Sequence, residues 1–551
     1  MGIYRESFRK NCNSPSGMLY YILKLYCLLQ KWSSRLQQSL KDRGSNMKNI
    51  LEYFERTTER FPDKLAFSDD KQEATFSQTM EKARRIGTAL RTYGTRRPVA
   101  ILIDRNCRCI DAMLGVLYAG DFYTVIDVHS PADRIGNILS ILERPLILTD
   151  QACEALAKEV CADRDLVKYE DLIAVETDDE ALLAVRSAMV DMDIAYILFT
   201  SGSTGMPKGT VISHRALISY INWVTAEFRF DETTVFGSQT PLYFSMSVTD
   251  FYSTLVCGCT YHIIPKPYFS FPVMLIDYLN QKKINTIYWV PTAISILSNW
   301  KAFDVKKPEY LKTVLFAGEV MPTKQLNYWI RNLNPDILYA NLFGPTETTD
   351  ICTFYVLNRT FEDSESIPIG VHCDNCHVFI VKEDGTEAAP GEEGELYART
   401  SFMAEGYYNN PEKTRQAFVQ NPLQQNYPER VYRTGDLVRL NEFGEIQYIS
   451  RVDFQIKRSG YRIELGEIEA AANSVEKVKS CACVYVKDQD RLVLFYEGGP
   501  KDTAVILAAV KGKVPSYMLP DRVVRMKDMP KNANGKIDRK KLEETYQADL
   551  A

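Results

Sequence analysis

The feature that most constrains this chain is a recurrence of short runs, apolar without alternation, separated by helical stretches. Such runs fall at 99–103, 146–149, 194–200, 261–265, 284–290, 314–317 and 337–342, with amphipathic segments such as 76–93 and 322–333 between several of them. A strand with one wet face alternates polar and apolar residues. An unbroken apolar run means that both faces are covered, and helical crossovers supply the cover. The pattern predicts an α/β fold built in layers. After about residue 394 the texture changes to short β-like pieces at 394–398, 436–440 and 446–450, the mark of a β-rich subdomain. From 451 onward a strand (454–456), a helix (464–474), strands at 481–487 and 491–496 and a helix (504–513) make up a small α+β unit. The expected organisation is a large N-terminal domain over 47–450 and a small C-terminal α+β domain over 451–551.

Composition narrows the class. The 551 residues are 45% hydrophobic and 25% charged, as in a globular protein, and the net charge of -5 argues against a general nucleic-acid binder. Residues 1–46 differ: eight Lys/Arg face only Glu6 and Asp42, a net of +6, which leaves -11 for residues 47–551. The apolar run at 18–29 is too short to cross a bilayer and Lys24 interrupts it, so no transmembrane segment is expected. Glu6 stands where a myristoylation motif needs Ser or Thr. The basic extension reads either as an interfacial helix or, preferably, as a segment outside the mature fold that begins at Met47. Thirteen cysteines include the C-x-C pairs Cys107/Cys109, Cys257/Cys259 and Cys481/Cys483, expected in strands where both sulfurs share a face. Cys373 and Cys376, beside His372 and His377, have no second C-x-x-C at zinc-ribbon spacing and read as packing residues. An odd cysteine count without a cleavable signal fits a reducing cytoplasm.

The strongest chemical signal is the segment from Tyr196 to Gly209. An apolar strand enters a loop of small hydroxylated residues and glycines, Thr200, Ser201, Gly202, Ser203, Thr204 and Gly205, closed by Lys208. Inward-turned backbone N–H groups, hydroxyl donors and one ammonium suit a polyphosphate. The spacing is not that of a Walker loop.

This loop resembles the phosphate-binding signature of the adenylate-forming superfamily, and further segments resembling that family follow in order. Asn341, Phe343, Gly344, Pro345, Thr346 and Glu347 resemble the segment that stacks adenine and holds magnesium. Tyr432 to Asp436 resembles the ribose-binding segment, and Arg451 to Glu464 resembles the hinge and the loop after it. Asn532 to Arg539 resembles the loop of the catalytic lysine. Within the superfamily the chain is most similar to amino-acid adenylation domains of nonribosomal peptide synthetases, and especially to free-standing D-alanine:carrier protein ligases. The stretch 115–135, ending in Pro131, Arg134 and Ile135, and the segments 394–397 and 406–409 carry the same likeness.

The resemblance implies an ATP- and Mg²⁺-dependent ligase that makes an acyl-adenylate from a small carboxylic acid. The acyl group would pass to the phosphopantetheine thiol of a separate carrier protein, with coenzyme A as the alternative acceptor and an inactive nucleotide-binding homologue as a remote one. In these terms Lys536 and Glu347 are catalytic, Glu347 also holding Mg²⁺. Thr200 to Gly205, Lys208, Asn341, Phe343 to Thr346, Asp436, Arg451 and Lys536 bind ATP. Asp453 is the hinge, and Lys457 and Gly460 lie on the thiol-transfer loop. The pocket for the acid would take Phe244, Ser245, Met246, Thr249, Leu315, Ala317, Gly318, Leu342, Asp350 and Ile351.

One departure bears on the substrate. Relatives that activate α-amino acids place an Asp after the aromatic of this segment, to pair with the α-ammonium; here Ser245 follows Phe244. A buried ammonium without a carboxylate is costly. Asp350 would put one carboxylate into an otherwise apolar pocket, for an amine placed elsewhere on the acid. The other reading is an acid with no amine.

Overall fold

A computed structural model describes residues 47–202, 206–452, 455–475, 478–499, 502–531 and 537–548. Two large sheets organise the chain after residue 48. The first has nine strands, with Leu338–Phe343, Thr313–Phe316, Thr286–Trp289, Val235–Ser238 and Thr260–Ile263 as parallel neighbours in that order. The second has seven, with Ile194–Thr200, Phe122–Val125, Pro98–Leu102 and Leu146–Thr149 as its parallel centre. Every run expected to be a buried strand is one, within a few residues at each end.

The helix Cys107–Tyr118 is buried on nearly all sides, and Ser247–Cys257 is buried along most of its length. Both contribute to one core that also draws residues from both sheets, such as Leu148, Tyr196, Phe236 and Tyr261. A helix apolar all round belongs between layers, which is where these two lie. Their burial corrects the reading of two C-x-C pairs. Cys107 and Cys109 open a helix, capped by the Asn106 side chain, which accepts from the N–H groups of Arg108 and Cys109. Cys257 ends a helix at Gly258, so the Cys257/Cys259 pair straddles a turn. Only Cys481 and Cys483 share a strand, and both face one core.

The β-rich part begins earlier than its texture suggested. Cys376–Val381 pairs with Glu393–Thr400, followed across the sheet by Arg430–Leu440 and Phe418–Gln420, with Ile446–Arg451 on the second side of Arg430–Leu440. The last hundred residues have cores of their own, drawn from 463–546. They hold a hairpin of Gln455–Arg458 and Tyr461–Glu464 and a three-stranded sheet of Ser480–Val486, Arg491–Glu497 and Arg522–Met526. The first strand of the hairpin was expected, at 454–456; its second strand, the third strand of the sheet and the helix Arg539–Ala548 escaped the sequence reading, because each is short and half polar. Among the described residues no helix is long and apolar enough to cross a membrane.

Candidate active site

One cavity gathers the chemistry, and the strand ends explain why. Thr200 and Ser201, Gln239 to Pro241, Val290, Ala317 and Gly318, and Gly344 to Thr346 all line it. Each group stands at or just past the carboxyl end of a parallel strand, where open α/β sheets bind their ligands. The same placement sorts the residues expected around the acid. Phe244, Ser245, Met246, Ala317, Gly318, Asp350 and Ile351 line the cavity, whereas Thr249, Leu315 and Leu342 do not. Leu315 and Leu342 lie within their strands, fully buried, and Thr249 faces Asp350 from a helix.

The hydroxyl-rich loop closes an antiparallel hairpin. Thr200 pairs with Lys208, so the loop folds back and sets the lysine beside the strand end. The Thr200 hydroxyl is buried with no hydrogen-bond partner among the described residues, a donor of the kind a phosphate oxygen satisfies. Gly202 lies on the described part of the loop, while Ser203, Thr204 and Gly205 lie outside the described residues.

Glu347 is the electrostatic centre. It is fully buried, accepts a hydrogen bond from the Tyr407 hydroxyl (2.6 Å) and from Arg462 Nη1 at both oxygens (2.9 and 3.2 Å), and lies 3.5 Å from Lys208 Nζ. Burial alone would raise its pKa, but the Arg462 guanidinium and the Lys208 ammonium outweigh it and hold the carboxyl far below the usual range. The Lys208 ammonium is pushed down to about 8 by burial and by Arg462, against the pull of Glu347. The cluster therefore holds two cations on one carboxylate, a surplus of positive charge suited to polyphosphate. A strained backbone sets the carboxylate. Thr349 has φ 65° and ψ -56°, with the Asp350 N–H donating to the Thr348 carbonyl (2.7 Å). This γ-turn of the rare hand is held by the Thr349 hydroxyl, which donates to the Phe402 carbonyl at 2.7 Å.

Asp436 and Arg451 are register partners on adjacent strands, and Arg451 Nη1 donates to Asp436 Oδ1 (3.1 Å) and to the Thr434 carbonyl (2.8 Å). Gly435 stands beside this pair at φ +76°, a conformation that favours glycine, and a Cβ there would crowd Arg451 Nη2 at 2.7 Å. The Phe343 ring lies 5.0 Å below Lys457 Nζ and 6.0 Å from the Tyr448 ring. Asn341, expected to touch ATP, instead donates to the buried Pro368 carbonyl (2.8 Å) and does not line the cavity.

Asp350 also lines the cavity and is 1% exposed. Its Oδ2 accepts hydrogen bonds from Tyr220 (2.9 Å), Thr249 (2.9 Å) and Tyr288 (3.2 Å). Burial pushes its carboxyl up to about 7, against these three donors, which pull it down. Besides Asp436, it is the only carboxylate among the described residues that line the cavity. Ser245 accepts a hydrogen bond from the Thr346 hydroxyl (3.3 Å).

The hairpin 455–464 reaches into this cavity. Gly460, at φ +79°, packs on Val290 with no room for a Cβ, and Tyr461 lies edge-on to Phe244 and stacked on Tyr517. A buried ion pair between Arg134 and Glu467 joins the two parts of the chain. Tyr220, Tyr288 and Arg462 were not assigned to the site from sequence. Arg462 could have been found, since it lies inside a recognised segment; the two tyrosines sit in ordinary apolar stretches and carry no signal. Lys536 and Asp453 lie outside the described residues.

Fold and site define a class: a two-part α/β enzyme whose strand ends meet a hydroxyl- and glycine-rich loop and one buried carboxylate held by two cations. The chain belongs to the AMP-binding enzymes, matching that family over residues 54–408 and the AMP-binding enzyme C-terminal domain over 467–536. It is 32% identical over 507 residues to the D-alanine--D-alanyl carrier protein ligase of Lacticaseibacillus casei (strain BL23), covering 90% of this chain and 98% of that one. It is 30% identical over 503 residues to tyrocidine synthase 1 of Brevibacillus parabrevis, covering 90% of this chain but only 45% of that one. Among solved structures, the Vibrio cholerae adenylation domain AlmE in complex with glycyl-adenosine-5'-phosphate shares the fold, with a TM-score of 0.77 and 20% identity over 92% of this chain and 98% of that one. So does an artificially fused adenylation–PCP di-domain from Klebsiella oxytoca, with a TM-score of 0.74 and 20% identity over 87% and 94%.

Proposed function

We propose that the protein activates a small amine-bearing carboxylic acid as its acyl-adenylate and passes it to the phosphopantetheine thiol of a separate carrier protein. The observation that carries this reading is a cavity lined by Thr200 and Ser201 of the loop, by Asp436 and Arg451, and by the buried carboxylate of Asp350. A carboxylate oxygen of the acid attacks the α-phosphorus of ATP, the bond to the β-phosphate oxygen breaks and pyrophosphate leaves. A thiol sulfur then attacks the acyl carbon and AMP departs.

The chain's own part is placement and charge. Lys208, with the loop at 200–205, neutralises and orients the phosphates. Phe343 lies against adenine, and Asp436, fixed by Arg451, accepts the ribose hydroxyls. Glu347 would hold magnesium, and the fit is sound: it is ionised, and a metal shared with phosphates takes one or two carboxylates rather than a protein cage. When bound there, the ion would neutralise phosphate charge. The Asp350 carboxylate would receive the amine, displaced from the α-position that Ser245 cannot serve. Residues 451–551 form the lid, which turns at Asp453. The described cysteines are all free thiols, which supports a reducing, cytoplasmic setting.

The test is pyrophosphate exchange across amino, aryl and fatty acids, followed by loading of a carrier protein or coenzyme A with the best acid. Exchange only with acids lacking an amine would overturn the substrate reading, and transfer only to coenzyme A would overturn the acceptor. For Lys536→Ala, exchange is expected to fall by about 100-fold, the value of one preorganised charge stabiliser. Thioester formation from supplied acyl-adenylate should fall far less, because the turned lid no longer presents Lys536. Equal losses in both steps would sink the two-position lid.

A further inference from the structure

We propose that Arg462 is a positioning residue that takes the place of magnesium on Glu347, so that the lid hairpin and a metal-bound triphosphate exclude one another. Arg462 arrives on the hairpin strand Tyr461–Glu464, and its Nη1 reaches both oxygens of a carboxylate that is wholly buried in the other part of the chain. The Tyr407 hydroxyl donates to Glu347 Oε1 at 2.6 Å, and Lys208 Nζ lies 3.5 Å from the same oxygen. A magnesium ion binds a carboxylate oxygen at about 2.0–2.1 Å, which would put it in contact with a guanidinium in a water-poor site. Two cations there on a single carboxylate, beside Lys208, repel one another with little screening.

A second contact points the same way. The Ser201 hydroxyl, on the phosphate loop, donates to the Arg462 backbone carbonyl at 2.7 Å. One lid residue thus holds, with its side chain, the carboxylate meant for the metal and, with its main chain, a hydroxyl meant for phosphate. Arg134–Glu467 and the Phe244–Tyr461 contact hold the hairpin in this position. The exchange gives the lid its order. The hairpin enters once metal and pyrophosphate have left Glu347 and Ser201, and its entry keeps a second ATP from loading before the acyl group is transferred.

The inference rests on the reading of Glu347 as the metal residue, and the experiment separates the two. The probe is Mn²⁺·ATP, with binding followed by loss of the free Mn²⁺ paramagnetic resonance signal, without acid or acceptor. Arg462→Ala is expected to bind Mn²⁺·ATP about 10-fold more tightly than the unaltered enzyme, and to transfer the acyl group from supplied adenylate about 10-fold more slowly. Arg462→Lys, which keeps the charge without the two-oxygen reach, should fall between them, and it guards against misfolding of the alanine variant. Equal or weaker Mn²⁺·ATP binding by Arg462→Ala, with Glu347→Gln clearly weakened, would overturn this inference alone. Unchanged binding by Glu347→Gln would overturn the metal reading beneath it.

Discussion

Asp350→Asn is expected to cut pyrophosphate exchange with an amine-bearing acid by at least about 100-fold while leaving ATP affinity unchanged. The carboxylate is buried and three hydroxyls fix one of its oxygens, so it is held ready rather than free to adapt. A buried charge robbed of its partner costs roughly 3–5 kcal/mol, and in the variant that charge is the substrate's ammonium. The pH dependence gives an independent readout. Burial holds the Asp350 carboxyl at about 7, with Tyr220, Tyr288 and Thr249 facing it and Lys457 further off. Below that pH the group is protonated and cannot pair with an ammonium, so kcat/KM for the amine-bearing acid should fall as pH drops through about 7. Asp350→Asn should remove this limb of the profile. Ser245→Asp should gain little for the preferred acid. A nearly silent Asp350→Asn, or strong exchange by the unaltered enzyme with ordinary alanine, contradicts the reading.

Glu347→Gln is expected to damage stability and chemistry together. Arg462 and Lys208 would lose their shared buried counter-charge, at a cost of about 3–5 kcal/mol. A lower thermal midpoint should follow, read as a difference between variants, since a chain with two separate cores need not unfold in one step. Exchange should drop by about 100-fold or more even at temperatures where the variant is folded, and raised Mg²⁺ should not restore it. A variant that is only less stable, with full exchange below its midpoint, would reduce Glu347 to a structural role. Glu347→Asp keeps the charge and should recover stability better than activity, because the shorter side chain draws the carboxylate away from Arg462.

The loop that closes on Lys208 was legible because its pattern is local. Strand, hydroxyls, glycines and lysine are consecutive, and the hairpin register that brings Lys208 to Thr200 needs only the loop between them. The layered α/β class was legible for the same reason, since burial on both faces leaves an unbroken apolar run. Of the hairpin at 455–464 the first strand was legible, at 454–456, but the second was not, because its four residues set Arg and Glu beside Tyr and Ile and show no apolar run. Nor was the identity of the helix at Cys107–Tyr118, although Asn106 marks its start; a segment buried all round has no periodicity to betray it.

What the sequence determined alone is therefore the class of fold and the hydroxyl- and glycine-rich loop that closes on Lys208. Tertiary structure decided how the buried carboxylates and lysines are charged and which side chains face the cavity. Asp350 is an ordinary aspartate until Tyr220, Thr249 and Tyr288, 130, 101 and 62 residues away, close around it. Leu315 and Leu342 share a sequence neighbourhood with cavity residues but lie within the strands, while the strand ends open onto the site. Glu347 acquires its depressed pKa from Arg462, 115 residues distant. Electrostatic and packing terms depend on distance in space and on the exclusion of water, and neither is written along the chain.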